Sequence, residues 1–568
     1  MSGRRRNSLL KRFFRSVGSH EIAPEEIFLD ASNLPDFDAS QFEGRLDKPI
    51  HKSTVSLVAV AFFVIAAVFL GRAYFLQVVN GEVFAAQSAR NHLANSLIFS
   101  ERGVIFDRNG TPLVWNEVKE SESFAERRYT DTRGVAHILG YVKYPQRDSS
   151  GFYWRDTFEG LDGIEANLNS TLAGENGTKI VEIDAKGEIL SESVVRLPVD
   201  GKSVTLSIDA ELSEKLYERI VKRAREAGFQ GGVGVIMDVE TGELITLVSY
   251  PDFDPQVLTD GEDRKTIASY NTDSRGPFLN RAISGLYTPG STVKPFMAVG
   301  ALEEGVITPE KQILSTGQLE VPNPYAQGTV SVFKDWKAHG WVDVRRAIAV
   351  SSNVYFYEVG GGFKDQKGIG IAGIEKYARL FGFGEKTGIP LSGEEAGTIP
   401  NPEWKRKNFE DGEWRLGDTY NTVIGQYGFQ VTPLQLTRGI AAIANGGRLL
   451  DPTLIAHATS SGMTLNASPE TLRVVREGMR LSVAEGSAIA IHGLPISFGG
   501  KTGTAQLGAQ NEFLNSWITG FFPYEKPRYA FSIIMERAPA GTTAGAPLVA
   551  LEFFQWLSEA HPEYWKGD

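Results

Sequence analysis

The chain has 568 residues, no cysteine and eight histidines, and its 58 basic against 69 acidic residues leave a net charge of −11. The acidic balance argues against nucleic acid as a partner, and the missing cysteines exclude thiolate catalysis, disulfides and cysteine-type zinc sites. The length allows roughly four domain-sized units, and no two histidines stand at i,i+3 or i,i+4, so the sequence implies no metal site and no cofactor.

Residues 1–52 read as a cytoplasmic tail. Arg4, Arg5, Arg6, Lys11, Arg12 and Arg15 give a basic start, and Glu21 to Asp47 is acidic and broken by prolines. Such a segment buries too little apolar surface to fold and is expected to be disordered. Residues 53–79 read as one transmembrane helix. Ser53 to Gly71 holds no charge, and the apolar run resumes from Ala73 to Val79 after Arg72, long enough to span a bilayer. A buried core helix of that length would show a polar stripe. A signal peptide would begin nearer the N-terminus and end at a small-x-small site. Basic residues precede the span, so the N-terminus is expected in the cytoplasm and the rest outside.

Residues 80–200 read as a mostly β, non-catalytic pedestal. Arg102 to Leu113 alternates apolar residues before Asn109-Gly110, which predicts a hairpin, and a short helix is expected near Glu165. No nucleophile, acid pair or phosphate loop is legible there. Residues 201–568 read as the large domain. Leu212, Leu216, Ile220 and Val221 mark an amphipathic helix within Leu206 to Ala227. Val233 to Asp238 and Leu244 to Val248 predict a β-hairpin. Lys501 to Gln506, Ser516 to Phe522 and Tyr529 to Met535 predict three more strands. A hairpin, then helices, then three strands implies an α+β fold, an antiparallel sheet with helices packed on it.

The chemistry is expected at Tyr287-Thr288-Pro289-Gly290-Ser291-Thr292-Val293-Lys294. If a helix starts at Ser291, Lys294 lies one turn on along the same face. A serine hydroxyl needs a base, and a desolvated lysine can serve because burial lowers its pKa. A helix start also offers free N–H groups to an oxyanion. Pro295 predicts an irregular first turn. Ser-x-x-Lys alone is weak, since Ser8-Leu9-Leu10-Lys11 has the same letters and a serine before a helix is ordinarily a cap. Two further signals add to it. Ser351-Ser352-Asn353 follows the apolar run Ala347 to Val350, and Lys501-Thr502-Gly503 opens a strand. Ser-x-x-Lys, Ser-x-Asn and Lys-Thr-Gly, in that order, form the signature of penicillin-recognising serine acyltransferases. The decoys fail on context. Ser269-Tyr270-Asn271 precedes the nucleophile, and Lys386-Thr387-Gly388 runs into Pro390, which would block strand pairing.

From about residue 54 onward the chain resembles the class B penicillin-binding proteins, monofunctional peptidoglycan transpeptidases, and within them the elongation type, penicillin-binding protein 2. The closer match rests on Lys334-Asp335-Trp336-Lys337, His339-Gly340, Ser351 to Tyr357, Pro402-Glu403-Trp404-Lys405, Gly417-Asp418-Thr419, Ile424-Gly425-Gln426 and Thr432-Pro433-Leu434-Gln435. Arg102-Gly103 through Asn109-Gly110 resembles the family's pedestal entry, and Gly160 to Glu165 its anchor segment. Tyr427 departs from the pattern, which has glycine after Gln426, and the acidic tail is longer than the family's.

The resemblance implies a five-stranded antiparallel sheet with helices on both faces. It implies Ser291 as the nucleophile on a D-Ala-D-Ala carbonyl, Lys294 as its base, Ser351 as a proton relay, and Asn353 as a holder of a substrate amide and of Lys294. Lys501 would attract the terminal carboxylate, with Thr502 and Thr504 hydrogen-bonding to it beside Gly503. The N–H groups of Ser291 and Thr504 would form the oxyanion hole. The implied partners are stem peptides and lipid-linked precursor strands, β-lactams as covalent inhibitors, and a membrane glycosyltransferase of the shape, elongation, division and sporulation type. A β-lactamase is the first rival, but its Glu-x-x-Leu-Asn letters fall at Glu165 to Asn169, ahead of Ser291. A non-enzymatic sensor or scaffold is the second, and the intact three motifs argue against it.

Overall fold

The computed structural model describes residues 52–85, 93–119, 122–149, 152–183, 189–324, 328–508 and 510–566. The tail expected over 1–52 lies outside them except for Lys52. Two compact units divide the chain, Met1–His92 and Leu93–Asp568. In the first, helix α1 (Lys52–Tyr74) continues as a π-helical turn, Phe75–Val79. These 28 residues are apolar and long enough to cross a membrane: about 42 Å at 1.5 Å per residue, against a hydrocarbon core of about 30 Å. Lys52 and Arg72 are the only charges in it.

The second unit opens with short strands. The predicted hairpin is Ile105–Phe106 paired antiparallel with Pro112–Glu117. Asp107 ties its turn, its Oδ1 accepting from the N–H of Asn109 at 2.9 Å and of Thr111 at 2.7 Å. Val204–Thr205 joins the same sheet in parallel with Ile105–Phe106, so the chain beyond residue 201 contributes a strand to it. The helix expected near Glu165 spans Gly163–Asn167. Its Glu165 carboxylate is wholly buried between two arginines. Oε2 accepts from Arg102 Nε at 2.6 Å, and Oε1 from Arg127 Nε at 2.8 Å. That engagement explains why the Glu165 to Asn169 letters carry no hydrolytic meaning.

The main sheet is five-stranded and antiparallel throughout. Its strands are β1 (Gly231–Asp238), β2 (Leu244–Tyr250), β3 (Gly499–Leu507), β4 (Phe513–Phe522) and β5 (Tyr529–Pro539), in spatial order β2-β1-β5-β4-β3. Alternation along each strand sorts side chains between two cores. Val233, Val235, Trp517, Phe521 and Ile534 face one core, which also holds Phe296, Met297 and Ile440. Ile236, Ile518, Phe522 and Ile533 face the other, filled by Leu216 and Ile220 of α2 (Ala210–Ala227) and by Phe553 and Phe554 of the C-terminal helix Ala546–Ala560. Helices therefore cover both faces, as the resemblance implied. Strand β3 lies at the sheet edge.

Removing one member of a buried charge cluster leaves the others uncompensated, which typically costs about 3–5 kcal/mol. Glu165→Ala is therefore expected to lower stability by about that much, read as a fall in thermal midpoint and faster proteolysis of residues after 93. A variant as stable as the parent would show that the two arginines find other partners.

Candidate active site

Ser291 sits in a 3₁₀ turn, Gly290–Val293, and the α-helix proper, α3 (Lys294–Glu303), begins at Lys294. In a 3₁₀ turn residues i and i+3 eclipse, so the irregular start aligns Ser291 with Lys294 more closely than an α-turn would. Pro295 falls in the first α-turn, where its missing N–H costs nothing. Phe296, Met297 and Val299 are fully buried, which fixes the helix and hence the turn before it.

Four contacts hold that turn. Tyr287 pairs with Val431, Trp517 Nε1 donates to Thr288 O at 3.2 Å, Gly290 N donates to Gly425 O at 3.0 Å, and Thr292 Oγ1 donates to Pro289 O at 2.8 Å. Edge strand β3 closes on the same turn. A Cβ on Gly503 would lie 2.8 Å from Thr292 Cγ2 and 2.9 Å from Pro289 O, so only glycine lets the strand come this near.

Lys294 is completely buried. Its Nζ donates to Ser351 O at 2.8 Å and to Asn353 Oδ1 at 2.7 Å, and lies 3.4 Å from Ser351 Oγ. Burial pushes it down to about 7 against an opposing pull from Asp335. Lys501, equally buried, approaches from β3. Its Nζ donates to Ser351 Oγ at 2.8 Å and to Thr502 O at 2.8 Å. Burial, followed by the Lys294 charge, holds it well below the ordinary lysine value. Ser351 is the left-handed C-cap (φ 59°) of helix α4 (Val344–Val350), and Asn353 opens helix α5 (Asn353–Gly361). The positive φ turns the chain between two helices so that both Ser351 and Asn353 reach Lys294.

The structure thus joins Lys294, Ser351, Asn353 and Lys501 in one hydrogen-bonded group and seats Gly503 on the Ser291 turn. Ser291 and Thr502 are half-buried and Thr504 is exposed. A Cβ on Gly290 would come within 3.1 Å of Thr504 O, so Thr504 also borders the Ser291 turn. Neither decoy is near such a geometry: Ser269-Tyr270-Asn271 lies in the helix Arg264–Thr272, and Thr387 is in a loop, bonded to Glu394. One participant was given no role by the sequence reading, although Lys334-Asp335-Trp336-Lys337 carried part of the resemblance. Asp335 lies beneath the Ser-x-Asn turn with its side chain unexposed, and a lone acid in a loop carries no spacing signal.

The comparisons agree with this geometry. A model of the penicillin binding protein transpeptidase domain matches residues 232–553, and one of the penicillin-binding protein dimerisation domain matches residues 120–206. The chain belongs to the penicillin-binding protein transpeptidases. It is 31% identical over 482 residues to the peptidoglycan D,D-transpeptidase MrdA of Haemophilus influenzae, covering 78% of this chain and 71% of that protein. Among solved structures it resembles penicillin-binding protein 2 of Helicobacter pylori in its complex with MreC. The TM-score is 0.69 at 28% identity, over 83% of this chain and 99% of that one. A chain from a peptidoglycan synthase complex that coordinates polymerization and crosslinking gives a TM-score of 0.69 at 26% identity, over 90% and 99%. These relatives place the chain with the elongation-type class B members.

Proposed function

We propose that this chain is a peptidoglycan D,D-transpeptidase that crosslinks stem peptides during cell-wall synthesis. The observation that carries the reading is the buried Lys294, poised to be neutral near pH 7, one 3₁₀ turn after Ser291 and bonded to both polar residues of Ser-x-Asn. Lys294 Nζ takes the Ser291 hydroxyl proton as Oγ attacks the penultimate D-Ala carbonyl. The N–H groups of Ser291 and Thr504 receive the oxyanion, a contribution typically of about 2–4 kcal/mol per donor. As the C–N bond breaks, Ser351 passes its proton to the departing D-Ala nitrogen and takes the proton held by Lys294 in its place, leaving an ester on Ser291 and a neutral Lys294. An amine of a neighbouring stem peptide then attacks that ester. It loses a proton to Lys294, which returns that proton to Ser291 Oγ as the new peptide bond forms and the ester bond breaks. The D-Ala carboxylate is received by Lys501, Thr502 and Thr504. An arriving carboxylate favours the charged form of Lys501, so substrate itself restores the ammonium that burial disfavours. β-Lactams acylate Ser291 in place of the peptide.

We further infer that residues 80–200 are a pedestal and 201–568 the catalytic domain, held outside the inner membrane by the Lys52–Val79 helix with the N-terminus in the cytoplasm. The basic residues that precede the span support that orientation. Tethering raises the effective concentration of a freshly made strand at the site. The Helicobacter pylori relative is in complex with MreC, and another relative belongs to a peptidoglycan synthase complex. These relatives support a membrane glycosyltransferase of the shape, elongation, division and sporulation type as the partner that supplies the strand.

Mass spectrometry after exposure to a penicillin is expected to find one adduct, on Ser291, persisting for many minutes; an adduct elsewhere, or rapid drug turnover, would refute the transferase reading. Lys294→Ala is expected to abolish labelling. In the parent the labelling rate should rise with pH through about 7, because Lys294 must shed its proton before it can accept one from Ser291. A rate flat from pH 6 to 8 would exclude Lys294 as the base.

Protease added to intact spheroplasts should digest the chain after about residue 80, whereas full protection would reverse the proposed topology. Reconstituted with lipid-linked precursor and the glycosyltransferase, the full chain should yield many crosslinked muropeptides. A soluble fragment from near Gly201 should still be labelled by penicillin if it folds, yet crosslink poorly. Equal crosslinking by both would limit the tether to localisation.

A further inference from the structure

The Ser-x-Asn turn rests on a buried carboxylate that none of the three motifs contains. Asp335 Oδ2 accepts from Ser352 Oγ at 2.9 Å, from Ser315 Oγ at 3.2 Å and from Val354 N at 3.0 Å. Oδ1 accepts from Trp336 N at 2.9 Å, and the Asn353 N–H also donates to this carboxylate. The loop that carries it is tied to the same helices. Lys334 O accepts from Asn353 Nδ2 at 3.3 Å and from Tyr357 OH at 3.2 Å, and Trp336 Nε1 donates to Val350 O at 3.1 Å. The carboxylate therefore satisfies the first free N–H groups of α5, at the helix end whose dipole favours an anion.

A buried charge is tolerated only when it is bonded and countered. The countercharge here is Lys294, which shares Asn353 with Asp335: Nζ holds Asn353 Oδ1 at 2.7 Å while the Asn353 N–H points to the carboxylate. We propose that Asp335 is a positioning residue for the transpeptidase reaction, its carboxylate setting Ser351 and Asn353 around Lys294 and supplying the anion opposite the buried Lys294 amine. The proposal rests on Lys294 being the base, as assigned above.

The charged groups around Lys294 are few. Lys501 faces it from β3, bonded to the same Ser351 Oγ, and disfavours its ammonium. Asp335 favours it from below. The Phe356 ring of α5 lies 5.5 Å from Nζ. Beside Asp335, His339 Nε2 stands 3.7 Å from Oδ1, and burial drives its pKa down, so it adds no cation near neutrality. Lys337 lies on the same loop. Burial pushes the Asp335 carboxyl up, but the Val354 and Asn353 N–H groups and the Lys294 charge outweigh it and hold it below the ordinary carboxylate value. Asp335 is thus an anion throughout the working range, and its removal leaves burial and Lys501 unopposed at Lys294. The lysine then sheds its proton at lower pH and becomes a weaker base.

The test follows the rate of Ser291 labelling by a fluorescent penicillin, on the full chain in detergent, between pH 5.5 and 9. In Asp335→Asn the acid limb should move to lower pH by about half a unit or more, with a slower plateau. Ser352→Ala keeps the charge but loses a donor to Asp335 and the cap on Tyr355 N. Its limb should stay in place while the plateau falls about fivefold, and its thermal midpoint should fall only modestly, as for a lost cap. An Asp335→Asn limb that coincides with the parent's overturns the proposal. If that variant does not fold, Ser352→Ala labelling at the parent rate overturns it instead, and a slowed plateau upholds the positioning role. A parent that is not labelled on Ser291 would sink the transpeptidase reading, an outcome separate from either variant result.

Discussion

Two lysine side chains, both without solvent exposure, converge on one serine hydroxyl. Lys501 Nζ lies 2.8 Å and Lys294 Nζ 3.4 Å from Ser351 Oγ. Two ammonium groups this close and this dry repel each other and lack hydration, so the arrangement favours a neutral amine on one of them near neutrality. In the proposed mechanism that imbalance supplies the base, a lysine taking the part that an imidazole could otherwise play. The neighbouring acceptors, Ser351 O, Asn353 Oδ1 and Thr502 O, orient the two amines without adding charge. Asp335, beneath them, opposes the loss of the Lys294 proton.

The scaffold brings backbone close to backbone around this pair. Gly503 lets the edge strand touch the Ser291 turn, and a Cβ on Gly425 would come within 2.3 Å of Gly290 O. Ser351 adopts a left-handed conformation at φ 59°. Non-glycine residues take it at a cost of roughly 1–2 kcal/mol, and it persists where the surroundings dictate it. Tyr427 does the same at φ 62°, which explains why glycine is the ordinary choice there. Its ring stacks on Phe409 at 5.9 Å and meets Trp404 and Trp414 edge-on. That packing offsets the backbone strain in the loop abutting Gly290.

Remote from the site, the Arg102–Glu165–Arg127 cluster orders the short strands before residue 200 in a way their length could not. Strands of two to eight residues with few buried apolar side chains are marginal alone. A buried carboxylate shared by two guanidinium groups fixes their mutual register through directional bonds. Val204–Thr205 then carries the chain from that sheet to helix α2.

Composition and pattern by themselves settled the apolar span, the α2 helix, the hairpin β1–β2 and the strands β3, β4 and β5, because burial imposes its period directly on neighbouring residues. The identities of Ser291, Lys294, Ser351, Asn353 and Lys501 were legible too, since each lies in a short motif whose spacing meets a local geometric need. Tertiary structure decided what these residues do to one another. Ser291 and Lys501 are 210 positions apart, and only the sheet order β5-β4-β3 brings the edge strand to the 3₁₀ turn. The depressed lysines, the left-handed Ser351 and the carboxylate of Asp335 arise from desolvation and contacts between distant segments. These are properties of an enclosed volume, and a linear pattern of side chains does not record volume.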